Sequence, residues 1–256
     1  MKKFTGAGIA LLLGTTAAYA GGMDRSGQSI TALFEEGTYA EISFGSVTPD
    51  VTGVDALSAP SGNAAPSYTQ VGLAFKTDIN DKVSLAFIMD QPFGASLDYA
   101  TAGYLLTGTT ADVTSSGFTL LGQYQINDNV SVYAGPRYIT AEGEFHRRLT
   151  GVSAATYDAT YAKASDLGYV IGAAYELPAI ALRAAVTYSS AMTFEMAGSG
   201  DGTLSPLDTA VDLTANMPQT VNLDFQTGIA ADTLAFATIR WADWSEASLV
   251  DSNPAA

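Results

Sequence analysis

Apolar and polar residues alternate with a period of two along most of this chain, and that period marks β-strands. Nine segments show it: 39–48, 67–78, 82–93, 117–126, 129–145, 165–177, 180–196, 219–230 and 233–245. In 82–93, Val83, Leu85, Phe87 and Met89 fall on one face, and Ser84, Ala86, Ile88 and Asp90 on the other. In 129–145, Val130, Val132, Ala134 and Tyr138 oppose Ser131, Tyr133, Gly135 and Arg137. In 219–230, Val221, Leu223, Phe225 and Ile229 oppose Thr220, Asn222, Asp224 and Gln226. Globular strands average about five or six residues, whereas a tilted membrane-spanning strand needs about 9–11. The segments here have the longer length. One apolar face and one polar or small face suits lipid on one side and a wet or filled lumen on the other.

The connections alternate between short and long. The short ones, 79–81, 127–128, 178–179 and 231–232, carry Asn, Asp or Pro, which form tight turns. The long ones, 49–66, 94–116, 146–164 and 197–218, are rich in Gly, Ser, Thr, Asp and Pro. Short turns on one side and long loops on the other are the pattern of outer-membrane barrels. The expected fold is all-β, a transmembrane antiparallel β-barrel of about nine strands over residues 39–256. Tyr99, Tyr138, Trp241 and Trp244 stand near strand ends, where aromatic girdles form. Single-chain bacterial barrels have an even number of strands, and nine is odd. Residues 246–256 read as the opening of another outer loop, so the pattern points to the front part of a larger barrel.

The N-terminus adds export. Lys2 and Lys3 precede the apolar stretch Phe4–Leu13, and Ala18-Tyr19-Ala20 gives the small-x-small pattern of a signal peptidase site. Residues 1–20 are therefore expected to be a cleaved signal peptide. With them removed, 236 of the 256 residues remain, enough for one barrel-sized unit. Residues 21–38 form a short N-terminal segment ahead of the first strand, on the periplasmic side or resembling a hatch.

Composition narrows the chemistry. The formal charge is −15, which disfavours nucleic acid as a partner. With 47% hydrophobic and 14% charged residues, the chain is too apolar for an acidic disordered protein. There is no cysteine, and His146 is the only histidine. That removes Cys/His zinc sites by counting, and His146 has no Gly-x-Ser-x-Gly partner element. No enzyme, cofactor or metal is expected.

Four stretches carry a resemblance. Gln91-Pro92-Phe93-Gly94 with Tyr99 resembles the Pro-Phe-Gly…Tyr element after an early strand of the outer-membrane long-chain fatty acid transporters of the FadL type. Gln123–Val132 is similar to that family's strand–turn–strand unit. Leu182–Ser190, ending at Met196-Ala197-Gly198, looks like its Tyr-Arg-Ser strand, with Ser189 where the family has Arg. Met217-Pro218-Gln219, leading to Ala242-Asp243-Trp244-Ser245, resembles its "LP…DWS" hairpin. The resemblance implies a fourteen-stranded barrel with an N-terminal hatch, and passive uptake of hydrophobic compounds, long-chain fatty acids above all. The family's Asn-Pro-Ala hatch element has no counterpart in Gly21–Thr38.

Arg137, Arg183 and Arg240 fall on the expected lumen face. An arginine fork binds carboxylate, so these are candidate contacts for a fatty acid head group. The competing role is pairing with lumen carboxylates Glu41, Asp90, Glu176 and Asp224. His146-Arg147-Arg148 is the one basic cluster after the signal. It is placed where the fifth strand meets an outer loop, for capture of anionic amphiphiles or contact with lipopolysaccharide phosphate. The expected partners are outer-membrane lipid and lipopolysaccharide, a hydrophobic ligand and, during biogenesis, the barrel assembly machinery. The alternative function is a general porin or structural barrel. Small and apolar lumen residues such as Gly72, Ala74, Ala86, Ile88 and Ala185 argue against an open aqueous pore.

Overall fold

The computed structural model describes residues 23–150, 155–203, 205–230 and 233–252. The expected signal peptide and the last four residues lie outside them. The described residues form one antiparallel sheet of 13 strand segments, curled like part of a barrel wall. The segments are β1 (Tyr39–Val47), β2 (Tyr68–Asn80), β3 (Val83–Asp90), β4 (Gly94–Asp98), β5 (Thr110–Asn127), β6 (Val130–Leu149), β7 (Ala155–Leu177), β8 (Leu182–Ser189), β9 (Met192–Gly202), β10 (Ser205–Met217), β11 (Thr220–Ala230), β12 (Thr233–Ala242) and β13 (Ser248–Asp251). Four staves of the wall are each broken into two: β3/β4, β8/β9, β10/β11 and β12/β13. Joined across those breaks, the segments make the nine staves expected from the alternation. Neighbours along the chain pair in an up-and-down meander from β1 to β12.

The short turns follow from their residues. Asn80 Oδ1 accepts from the backbone N–H of Lys82 (2.9 Å) and Val83 (3.1 Å). Asn127 does the same for Asn129 and Val130, both at 3.0 Å. This is the Asx turn, in which a side chain stands in for a backbone carbonyl. At Pro178–Ile180 the turn is 3-10, and Ala181 closes it at φ 50°.

The long connections are shorter than the sequence pattern predicts. Of 94–116, 146–164 and 197–218, most is strand: β4, the start of β5, the ends of β6 and β9, the start of β7, and β10. In this region the ladder of backbone hydrogen bonds continues, but the outward side chains become polar. Where alternation persists, as at Val211, Leu213, Ala215 and Met217, its apolar side is turned inward. The connections 48–67 and 99–109 are true loops. Asp55 ties them together, accepting at Oδ1 from the N–H of Leu57 (2.8 Å) and Ala59 (2.9 Å) and at Oδ2 from Leu105 (2.9 Å).

Side chains sort by face as the pattern predicts. Phe44, Phe75, Leu120, Tyr138, Ile171, Leu223 and Trp241 are exposed on the convex face. Tyr99 departs from the expected girdle and packs in a loop against Tyr104, ring centroids 4.8 Å apart and planes tilted by 39°. On the concave face two apolar clusters form. Near the turn end, Ile30, Ala32 and Leu33 of the N-terminal segment pack on Ala74, Ala86, Ile88, Leu121, Tyr133, Val170, Ala174 and Ala185. Near the loop end, Phe93, Ile139, Tyr157, Tyr161, Met192, Phe194, Met196, Leu213 and Met217 form the other. Burying Ile30 and Leu33 contributes about 1.5–3 kcal/mol each, which helps to hold a segment whose stretch Thr31–Phe34 is a 3-10 turn.

Candidate functional site

The site is built where residues 24–34 cross the concave face of the sheet. Ser26-Gly27-Gln28 forms a hook, with Gly27 and Gln28 both in the left-handed region at φ 63° and 54°. Ser26 Oγ donates to Asp90 Oδ2 of β3 at 2.7 Å. The Gly27 carbonyl accepts from Asn222 Nδ2 of β11 (2.9 Å) and Arg240 Nη1 of β12 (3.3 Å). Gln28 is buried, and its Oε1 accepts from Arg137 Nη1 of β6. One short turn thus touches strands from both halves of the wall.

Arg137 and Arg240 are therefore occupied, in part by the segment ahead of the first strand. Arg137 is 2% exposed. Its Nε donates to Thr119 Oγ1 at 2.7 Å, and its Nη2 lies 3.9 Å from Asp90 Oδ2. Arg240 pairs through Nε with Asp24 and donates to Asn222 Oδ1 at 2.8 Å. Of the four lumen carboxylates offered as partners, Asp90 stands beside Arg137, and Asp224 accepts from Thr238 at 2.7 Å. The partner of Arg240 is Asp24, from outside the strands. Arg183 is set apart: it donates to Gln226 at 3.0 Å, lies opposite Glu176, and places its guanidinium 4.8 Å from the Phe34 ring centre. The three arginines do not converge on one site.

The wall has a gap at Gln91-Pro92-Phe93. The last pair between β2 and β3 is Leu73↔Met89, and β4 pairs only with β5. Residues 68–72 of β2 therefore pair with β1 alone. Pro92 has no N–H to donate, and Phe93 turns inward, exchanging hydrogen bonds with Ser115 Oγ at 2.9 and 2.6 Å. Gln91 Oε1 accepts from the N–H of Val71 at 3.0 Å.

Arg25 occupies this gap. Its N–H donates to the Pro92 carbonyl at 2.9 Å. Its guanidinium lies 4.0 Å over the Tyr68 ring of β2 and donates to Ser96 Oγ of β4 at 3.1 Å. Gly94 leaves the room: a Cβ there would stand 2.6 Å from the guanidinium carbon. Beside Arg25 is a cleft of about 290 Å³ between the N-terminal segment and β1–β3. Sequence reasoning missed Asp24, Arg25, Ser26 and Gln28 because they precede the first strand and share no periodicity. The Pro-Phe-Gly break was the one signal that the wall opens there.

The basic cluster sits elsewhere, near the loop end. His146, Arg147 and Arg148 lie among the last four residues of β6, which ends at Leu149. His146 Nδ1 is 2.6 Å and Arg148 Nη2 2.7 Å from Asp158 Oδ1 on β7. Burial pushes the Asp158 carboxyl up, but its hydrogen bonds with Arg148 and His146, with their charges, hold it below the usual carboxylate range. Much of the positive charge is thus balanced within the cluster.

Residues 21–251 match the model of a family described as "Outer membrane protein transport protein (OMPP1/FadL/TodX)". A Pseudomonas aeruginosa FadL homologue of known structure is similar at TM-score 0.59 and 14% identity, over 83% of this chain and 61% of that one. The Ralstonia pickettii toluene transporter TbuX is similar at TM-score 0.56 and 14% identity, over 84% of this chain and 64% of that one. This chain spans less than two thirds of the length of either. No curated protein sequence matches it.

Proposed function

The chain belongs to the outer membrane protein transport family (OMPP1/FadL/TodX), and from that premise we propose that it serves passive uptake of hydrophobic compounds, long-chain fatty acids in particular, across the outer membrane. The observation that carries this reading is the filled concave face. Ile30, Ala32 and Leu33 lie against Ala74, Ala86, Ile88 and Ala185, where a porin keeps a polar channel. A second apolar cluster lines the loop end. An interior of this kind offers an alkyl chain surface to bind and gives a hydrated sugar little room.

The segment 23–38 acts in this reading as a hatch. It is fixed by a few polar contacts and three buried aliphatic side chains, Ile30, Ala32 and Leu33, so its release needs no energy source beyond ligand binding. Arg137 and Arg240 hold the hatch and meet ligand only after it lets go. Arg183, near Phe34, remains a ligand contact at the turn end. His146, Arg147 and Arg148 stay as a site for anionic amphiphiles or lipopolysaccharide phosphate at the outer surface, weakened by Asp158. Folding into the membrane is assigned to the barrel assembly machinery, and export to residues 1–20.

The test is flux through vesicles containing the full chain. A long-chain fatty acid is expected to enter faster than into empty vesicles, and a disaccharide at the same rate as into empty vesicles. Disaccharide entry would establish a porin instead. Entry of neither would leave a structural barrel.

A further inference from the structure

Four of the five methionines beyond residue 20 gather in one place. Met192, Met196 and Met217 belong to the apolar cluster at the loop end, and Met23 packs against it from the N-terminal segment. Met192 and Met217 are directly opposed across β9 and β10, and Met196 follows on the same face of β9. Methionine is a flexible filler of irregular cores, yet here a gap is left. Met23, Met196 and Met217 line a cavity of about 10 Å³ together with Phe93 and Phe194, room for one water-sized sphere. Ser115 has the only polar side chain in the lining, and its Oγ is engaged with the Phe93 backbone on both sides, at 2.9 and 2.6 Å. A water would need two or more polar partners, and a hard cation a shell of oxygens. Neither finds them. The lining offers three thioethers and two aromatic rings instead.

We propose that this cavity is a binding site for a soft monovalent metal cation, Cu(I) or Ag(I), with Met23, Met196 and Met217 as its thioether ligands. Thioether sulfur selects such ions over hard ones, and the rings of Phe93 and Phe194 favour a cation stripped of water. The same strand that closes the cavity supplies a countercharge. Leu249 lines it, and Asp251 follows on the same face of β13, where it accepts from the hydroxyls of Tyr157 at 3.1 Å and Tyr161 at 2.5 Å. The ligands come from three separate parts of the chain: the segment ahead of the first strand, β9 and β10. The site is therefore complete only when that segment is seated, and a bound ion ties the segment to the wall. None of this depends on what the protein transports.

The experiment is calorimetric titration of the full chain, refolded in detergent, with silver nitrate in chloride-free buffer. Ag(I) is the probe because it keeps its oxidation state. Imidazole also binds soft metals, so the parent and every variant carry His146→Asn. One ion should bind per parent chain. Met196→Leu and Met23→Leu keep the volume and remove the sulfur. Each should weaken binding by at least about tenfold, the least that loss of even an outer-sphere contact costs a metal site. Met89→Leu, on the outward face of β3 with Leu85 and Phe87, should bind as the parent does, and Zn(II) should not compete. Near-ultraviolet circular dichroism checks that each chain is folded. Parental affinity in either Met196→Leu or Met23→Leu would overturn the three-thioether site. Absence of binding to the folded parent would overturn it too, and leave the four methionines as packing.

Discussion

Gln28 and Arg137 lie 109 residues apart in sequence, and the side-chain carbonyl of the first accepts from Nη1 of the second. Gln28 holds that position at φ 54°, a conformation that costs a non-glycine residue roughly 1–2 kcal/mol. The contact with a buried guanidinium offsets that strain. Replacement by glycine should remove both the strain and the bond, and replacement by alanine only the bond. Trypsin cleavage after Arg25 reads how firmly the segment is held. The expected order of rates is Gln28→Ala fastest, then Gln28→Gly, then wild type. Identical rates would show that this contact does not secure the segment.

Asp24 and Arg240 form the second tie, each side chain 15% exposed. Asp24→Arg should release the segment and raise both cleavage after Arg25 and fatty acid flux. Arg240→Asp in the same chain should reverse much of that effect, with a coupling of at least about 1 kcal/mol in a double-mutant cycle. Additive effects of the two changes would mean that the pair does not act as a unit.

Tyr133 packs against Gly172, its partner across β6 and β7, and donates or accepts at Thr187 Oγ1 over 2.8 Å. The ring occupies the space a side chain at 172 would take. Gly172→Val should therefore push the ring off Thr187 and destabilise the sheet by about 1–3 kcal/mol, the range for overpacked interiors. The midpoint of urea unfolding is the readout. An unchanged midpoint would show that the ring moves without loss.

Acid should loosen the loop end before the rest. A carboxyl held low in the folded state, as Asp158 is, contributes stability above its unfolded value near ~3.9 and loses it as pH falls through the folded value. The tie between β6 and β7 through His146, Arg148 and Asp158 is thus intact at neutral pH, weakens below the unfolded value and is lost as pH falls through the lower folded value. Amide exchange at 146–148 and 156–158, corrected for intrinsic rates, should rise there, and Asp158→Asn should abolish the transition. Unchanged protection in acid would remove this tie as a stabilising element.

The nine staves were legible because lipid-facing and lumen-facing side chains differ in polarity wherever the strand crosses an apolar layer. Val83–Met89 and Val221–Phe225 show that contrast plainly. Beyond the layer, in Thr110–Ser116 and Tyr157–Ala164, the outward face carries polar or small groups while tyrosines such as Tyr157 and Tyr161 turn inward, and a strand there reads like a loop. The inward orientation of Arg137, Arg183 and Arg240 followed from the alternation, since a shift of one residue would have placed every neighbour on the wrong face. Their partners did not follow. Asp24, Ser26 and Gln28 belong to a segment held by individual contacts, and such contacts leave no period in the sequence. Arg25 was hidden for the same reason, although Gln91-Pro92-Phe93-Gly94 marked the break it fills.

The hook at residues 26–28 also bears on how the molecule assembles. Its partners stand in β3, β6, β11 and β12, and the tie from Asp24 to Arg240 closes a loop of 216 residues. Closure across such separations is slow relative to pairing of adjacent strands. The stretch that leads the described chain therefore gains its contacts last, after the wall that receives it has formed. A wall with a slipped register would turn Arg137 or Asn222 outward and give the hook nothing to grasp. Locking of the segment thus reports, at the end of folding, that strands far apart in sequence have found their places.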